Sequence, residues 1–165
     1  MYRRDEPSAL FHFLHHAHRR RVYEEQARRG LGDMGAPMIL LTLFRGEQEG
    51  RQLSQRDLAR QLRLSPATVA VSLKPLERDG YLVRTADERD ARRNLVDLTE
   101  KGRRAVELCG EAFRAVDDQM LAGFSEQEKT QLDGFFTRML ENLGVNAEDV
   151  PPPPPRRSGK EDKRL

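Results

Sequence analysis

Apolar residues fall on helical spacing in six stretches of the chain and on alternating spacing in two. The first helix is predicted over residues 8–29, with Leu10, Phe11, Phe13, Leu14 and Ala17 on one face before Arg19, Arg20 and Arg21 interrupt it. Gly30, Gly32 and Gly35 mark a loop. A short apolar helix over residues 36–44 follows, with Pro37 at its start and Met38, Ile39, Leu41 and Leu43 to bury. Ser54 can cap a third helix, with Asp57 placed to reach back to the cap and Leu58 and Leu62 one turn apart. Arg63 and Leu64 make a turn, Ser65 and Pro66 start a fourth helix, and Val69, Leu73 and Leu76 form its inward stripe. Two β-prone segments, 81–85 and 94–98, flank a charged tip, and Gln52-Leu53 can add a minimal third strand.

The last two helices are long. From the Thr99 cap to about Ala122, Val106, Cys109, Phe113, Val116 and Met120 repeat at alternating intervals of three and four, while Leu108, Ala112 and Ala115 add a second stripe. A helix that is apolar on two sides needs two neighbours. After Gly123, Ser125 with Glu128 forms a capping box, and Leu132, Phe135, Phe136, Met139, Leu140 and Leu143 line one face. That face can be intrachain core or, with the first helix, a dimer interface. The dimer is the favoured reading, and Leu10, Phe13, Leu14, Phe113, Leu132, Phe135, Phe136, Met139 and Leu143 are its candidate residues.

Pro75 is the anomaly. Proline in a helix interior removes a backbone hydrogen bond and clashes one turn back, at about 3 kcal/mol. A kink is predicted there, or a break with a short turn over residues 76–79, before Gly80 ends the helix.

The order helix, turn, helix, charged hairpin is that of a winged helix-turn-helix, a device for gripping duplex DNA. Ala67, Thr68, Ala70, Val71 and Lys74 look outward from the fourth helix, a face of small residues suited to close approach. In a major groove the methyls of Ala67 and Val71 can meet thymine methyls, and Ser65 and Thr68 can bond bases or phosphates. The hairpin tip, residues 87–93, holds three arginines and three acids. Arginine enters narrow minor grooves, and carboxylates can hold its fork.

Here a resemblance appears. Residues 53–84, LSQRDLARQLRLSPATVAVSLKPLERDGYLVR, are similar to the helix-turn-helix of the MarR family of bacterial transcription regulators. DERDARRNLVDLTEKG resembles that family's wing, its D-x-R-x-x-R pattern falling on Asp87, Arg89 and Arg92, and the LTEKG run over residues 98–102 is also family-like. The likeness extends more weakly over most of residues 9–143, and Pro75 departs from the usual pattern. It implies a homodimer whose terminal helices interlock two subunits, binding double-stranded DNA as a repressor that answers to small, often aromatic, effectors.

The expected architecture is mainly α with a small antiparallel β-wing. It divides into a loose N-terminus (1–7), a dimerisation helix and loop (8–35), the winged helix-turn-helix (36–98), C-terminal dimerisation helices (99–144) and a disordered proline-rich, charged tail (145–165). Candidate DNA contacts are Ser54, Gln55, Ser65, Ala67, Thr68, Val71, Lys74, Arg78, Arg84, Asp87, Arg89, Arg92 and Arg93.

Composition sharpens this picture. Of 165 residues 34% are charged, and the formal net charge is only +2. Yet residues 51–105 carry 13 basic against 8 acidic side chains, and residues 106–165 carry 8 against 12. Positive charge is concentrated where phosphates would lie. The one cysteine, Cys109, excludes an intrachain disulfide, and on an apolar seam it reads as core, not as a reactive thiol. Peroxide-sensing members of the resembled family use a cysteine in the first helix, where this chain has none. No apolar run can span a bilayer and no signal-peptide core is present, so a soluble cytoplasmic protein is expected, with no membrane partner.

No phosphate loop, zinc-protease motif or nucleophile elbow is found, and neither an enzyme nor a cofactor is expected. His12 and His16 sit one turn apart, as do His15 and His18, but no third ligand is near, so no metal site is assigned. Two rivals remain: a winged-helix protein-interaction module, and a metal-responsive regulator using the N-terminal histidines.

Overall fold

The computed structural model describes residues 7–32, 36–87 and 94–146. Its elements are α1 (Pro7–Arg28), α2 (Pro37–Gln48), β1 (Leu53–Ser54), α3 (Gln55–Leu62), α4 (Pro66–Arg78), β2 (Leu82–Ala86), β3 (Asn94–Leu98), α5 (Glu100–Met120) and α6 (Glu126–Asn142). The strands form one antiparallel sheet in the order β1-β3-β2, with Leu53 opposite Val96 and Leu82 opposite Leu98. This is the mainly helical, winged architecture read from the sequence.

The core lies where α2, α3, α4, the sheet and the start of α5 meet. Leu58, Val69 and Leu73 have no exposed surface there, and Ile39, Leu40, Leu82, Val96 and Val106 are almost as deeply buried. Each such side chain removed from water contributes roughly 1.5–3 kcal/mol. The caps are those expected. Ser54 and Asp57 form a capping box on α3, Ser65 caps α4 with Pro66 behind it, Thr99 caps α5, and Ser125 with Glu128 caps α6.

Two expectations need correction. First, α2 runs four residues past Phe44, to Gln48. Gly46 lies on its buried side, where a Cβ would stand 3.0 Å from the Arg51 carbonyl and from Leu53. Glycine fits at this position because β1 passes close by. Second, α4 continues through Pro75 to Arg78. The carbonyl that loses its donor is that of Val71, on an exposed part of the helix where water can reach it. Leu73 and Leu76, both buried, hold the two sides of the proline in one helix.

Of the two readings of the terminal helices' apolar faces, intrachain core is excluded. No residue of α6 is buried. Along α1, Ala9, Val22 and Gln26 are buried, while Leu10, Phe11, Phe13, Leu14 and Ala17 are exposed. Ala115 of the second α5 stripe is exposed as well.

The LTEKG run has a local physical reason. Thr99 donates its hydroxyl to the Gly80 carbonyl at 2.7 Å and its N–H to the Tyr81 carbonyl at 3.1 Å. Lys101 donates to the Asp79 carbonyl at 2.7 Å and lies over the Tyr81 ring. At Gly102 an added Cβ would fall 2.0 Å from the Tyr81 carbonyl oxygen. The first turn of α5 is thus fastened to the backbone that leaves the end of α4.

Candidate nucleic-acid interface

The helix-turn-helix is built from short-range bonds. Asp57 N–H donates to Ser54 Oγ at 3.3 Å, and Ser54 Oγ donates to Asp57 Oδ2 at 2.6 Å. Arg63 ends α3 in the left-handed region, φ 53°, which lets the chain reverse within three residues. At the start of α4, Thr68 N–H donates to Ser65 Oγ at 3.0 Å, and the two hydroxyls bond each other at 2.8 Å.

The structure brings Ser65, Ala67, Thr68, Val71 and Lys74 to one exposed side of α4 and its cap. Gln55 is half-buried, its amide donating to the Pro66 carbonyl at 3.4 Å. Ser54 departs from expectation. It is 2% exposed, and its hydroxyl both accepts from and donates to Asp57, so it shapes α3 and offers no contact to a ligand.

The arginines divide. Arg84 of β2 is half-buried and bonded to Glu77 of α4, at 2.9 Å through Nε and also through a terminal nitrogen. That hydrogen bond holds the Glu77 carboxyl below the usual range and raises Arg84. The charge expected for DNA is therefore matched inside the chain, and Arg84 locks the wing to the end of α4. Arg78 bonds Asp79 at 2.8 and 3.1 Å in full solvent, an exposed pair that a phosphate can replace. Asp87 closes β2 and is half-buried. Arg89, Arg92 and Arg93 lie outside the described residues.

Sequence reasoning missed Arg56 and Arg63. Both are exposed on the helix-turn-helix, and among the described residues neither has an ion-pair partner. The available signal was polarity: each stands beside, not on, the buried leucine stripe.

Two further features flank this lobe. An apolar groove of about 1070 Å³ lies between the first half of α1 and α6, lined by Leu10, Phe11, Phe13, Leu14, Leu132, Phe136, Met139, Leu140 and Leu143 among others. Of the remaining dimer candidates, Phe113 and Phe135 are also exposed. A cavity of about 260 Å³ sits between α1, α2 and α5, lined by Val22, Leu40, Leu41, Val106 and Phe113, with His18, Arg19, Tyr23 and Gln26 among its polar groups. His18 is bonded to Asp117 of α5 at 2.9 Å. Cys109 also lines the cavity, and burial pushes its thiol up to about 11, which keeps it protonated at neutral pH. His12, His15 and His16 are exposed on α1, and no cluster of three metal-ligating side chains occurs among the described residues. Among those residues, no helix is long and apolar enough to cross a membrane.

Comparison with known proteins agrees with this geometry. A family model described as "MarR family" matches residues 30–93. The HTH-type transcriptional regulator BilQ of Clostridium symbiosum is 33% identical over 111 residues, covering 67% of this chain and 73% of BilQ. The crystal structure of MepR, a transcription regulator of the Staphylococcus aureus multidrug efflux pump MepA, has TM-score 0.71 at 26% identity, covering 84% of this chain and 98% of that one. The S. aureus MepR–DNA complex has TM-score 0.62 at 27% identity, covering 84% and 96%. Winged lobe, caps and sequence matches together place the chain in the MarR family of transcription regulators, which are DNA-binding proteins and not enzymes.

Proposed function

We propose that the protein is a homodimeric repressor that binds an inverted-repeat operator in the cytoplasm and releases it when a small aromatic molecule occupies the cavity between α1, α2 and α5. One observation carries the reading. The same chain presents an exposed reading face on α4 and an apolar groove on α1 and α6 that it leaves uncovered. A reader on one lobe and an unsatisfied apolar surface on the other are what a two-fold DNA-binding dimer requires.

In this reading residues 36–98 form the reader, and residues 8–35 and 99–144 hold two copies together. Each subunit lays Ser65 to Lys74 in a major groove, with Arg56, Arg63 and Arg78 near phosphates. The wing residues Arg89, Arg92 and Arg93 enter the flanking minor groove. The two readers stand roughly 34 Å apart, one turn of B-form DNA. The bonds from Thr99 and Lys101 to the end of α4 make α5 and the reading helix move together. A ligand that wedges α1 from α5 and α2 would change reader spacing, provided it prefers the non-binding spacing. The apolar wall with His18, Arg19 and Gln26 suits an aromatic body with one polar group.

The test is to select bound duplexes from a random pool and titrate the winner against salt. An inverted repeat with half-sites one turn apart is expected, with affinity falling steeply as salt rises. Arg89→Ala with Arg92→Ala should weaken binding to many duplexes alike and reduce the salt slope by about 2. Equal binding by the double variant, or a particle that sediments as a monomer at working concentration, would contradict the proposal.

A further inference from the structure

The side of α4 turned outward carries little hydrogen-bonding chemistry. Side chains that pair with base edges through two bonds are Arg or Lys for guanine and Asn or Gln for adenine, and Asp or Glu can accept from the cytosine amino group. Residues 65–72 contain none of them. The two hydroxyls of the first turn are committed to each other and to the cap, and the Gln55 amide leans on the Pro66 carbonyl. Besides Lys74, what remains is Val71. It is 67% exposed and is the one large apolar side chain of α4 turned to solvent. Ala67 precedes it by one turn on the same face. A solvent-exposed valine does nothing for the helix, since its propensity is below that of alanine.

We infer that Val71 is a specificity residue that reads the 5-methyl group of a thymine, so that each operator half-site has one thymine fixed by apolar contact. This rests on the reading that α4 enters a major groove. Thymine is the base whose major-groove edge carries an apolar group, whereas cytosine presents an amino donor there. Against the valine methyls that donor would lose its water and gain no acceptor, so cytosine is rejected by the same contact that favours thymine. The exposed Lys74, three residues on, supplies charge nearby but cannot distinguish a methyl from a hydrogen.

The experiment uses the full chain and a duplex recovered by selection. Each thymine is replaced singly by deoxyuridine, which removes the methyl and keeps the pairing. At one position per half-site the affinity should fall about fivefold, the scale of one buried methyl. Val71→Ala should lose a similar factor on the thymine duplex, unfold at the same temperature as the parent, and lose nothing more on deoxyuridine. If no deoxyuridine position changes affinity, the inference is overturned while DNA binding stands. It is also overturned if Val71→Ala loses the full factor again on deoxyuridine, because another group then feels the methyl. If the parent recovers no duplex from any pool, the inference and the proposed function fall together.

Discussion

The winged lobe and the terminal helices use similar apolar side chains in opposite ways. In the lobe, Leu58, Val69 and Leu73 are wholly buried within one chain. On α1, Phe13 is 70% exposed, and on α6 Phe135 and Met139 are each 50% exposed. The difference is not one of local helix quality. α6 has a complete capping box at Ser125 and Glu128 and a glycine end at Gly144, φ 72°. Good caps make a helix start and stop where the sequence says, but an isolated helix of this length is marginal in water without a packed face. One region is finished by its own chain. The other is specified locally and left unfinished, which is the physical basis for reading a second subunit onto it.

That contrast can be broken at its weakest point first. Leu132→Asp with Phe136→Asp places four carboxylates per dimer on the proposed interface, and should cost more than about 5 kcal/mol of association. Sedimentation should show monomers, while the winged lobe keeps its cooperative unfolding; a surviving dimer would mean the groove faces something else. Within the finished lobe, Gly102→Ala forces a Cβ onto the Tyr81 carbonyl oxygen. It should destabilise by about 2–3 kcal/mol in urea unfolding, since backbone on both sides must shift.

A smaller effect is expected at the lock between wing and reader. Arg84 holds the Glu77 carboxyl below its usual range, so the stabilisation is complete above the ordinary glutamate pKa, about 4.3, and is lost as pH falls through the depressed value. Both groups are partly in solvent, so Glu77→Gln should cost less than about 1 kcal/mol at neutral pH. It should also flatten the acid limb of the stability curve. An acid limb identical to the parent's would show that the pair contributes nothing. Smallest of all, Arg63→Gly relieves the left-handed position in the turn but frees the unfolded chain. Stability should rise by about 0.5 kcal/mol by thermal melting, while affinity for DNA falls because an exposed cation is lost.

What the chain determined alone was local. Ser54, Ser65, Thr99 and Ser125 announce helix starts because a hydroxyl beside orphan N–H groups works the same way in any fold. The hairpin and its pairing follow from alternation, and the wing pattern with LTEKG carried the family. What only the tertiary structure decided was which neighbour each residue would meet. The second helix looked finished at Phe44 until Gly46 was seen packed against β1, and Pro75 looked like a break until Leu73 and Leu76 were seen buried on either side. Arg84 and Ser54 read as DNA contacts because charge and hydroxyls are visible in sequence, whereas Glu77 and Asp57 as their bonded partners are visible only in space. Spacing along a chain reports a side chain's own period; whether its charge or its apolar surface is left over depends on what the fold brings opposite it.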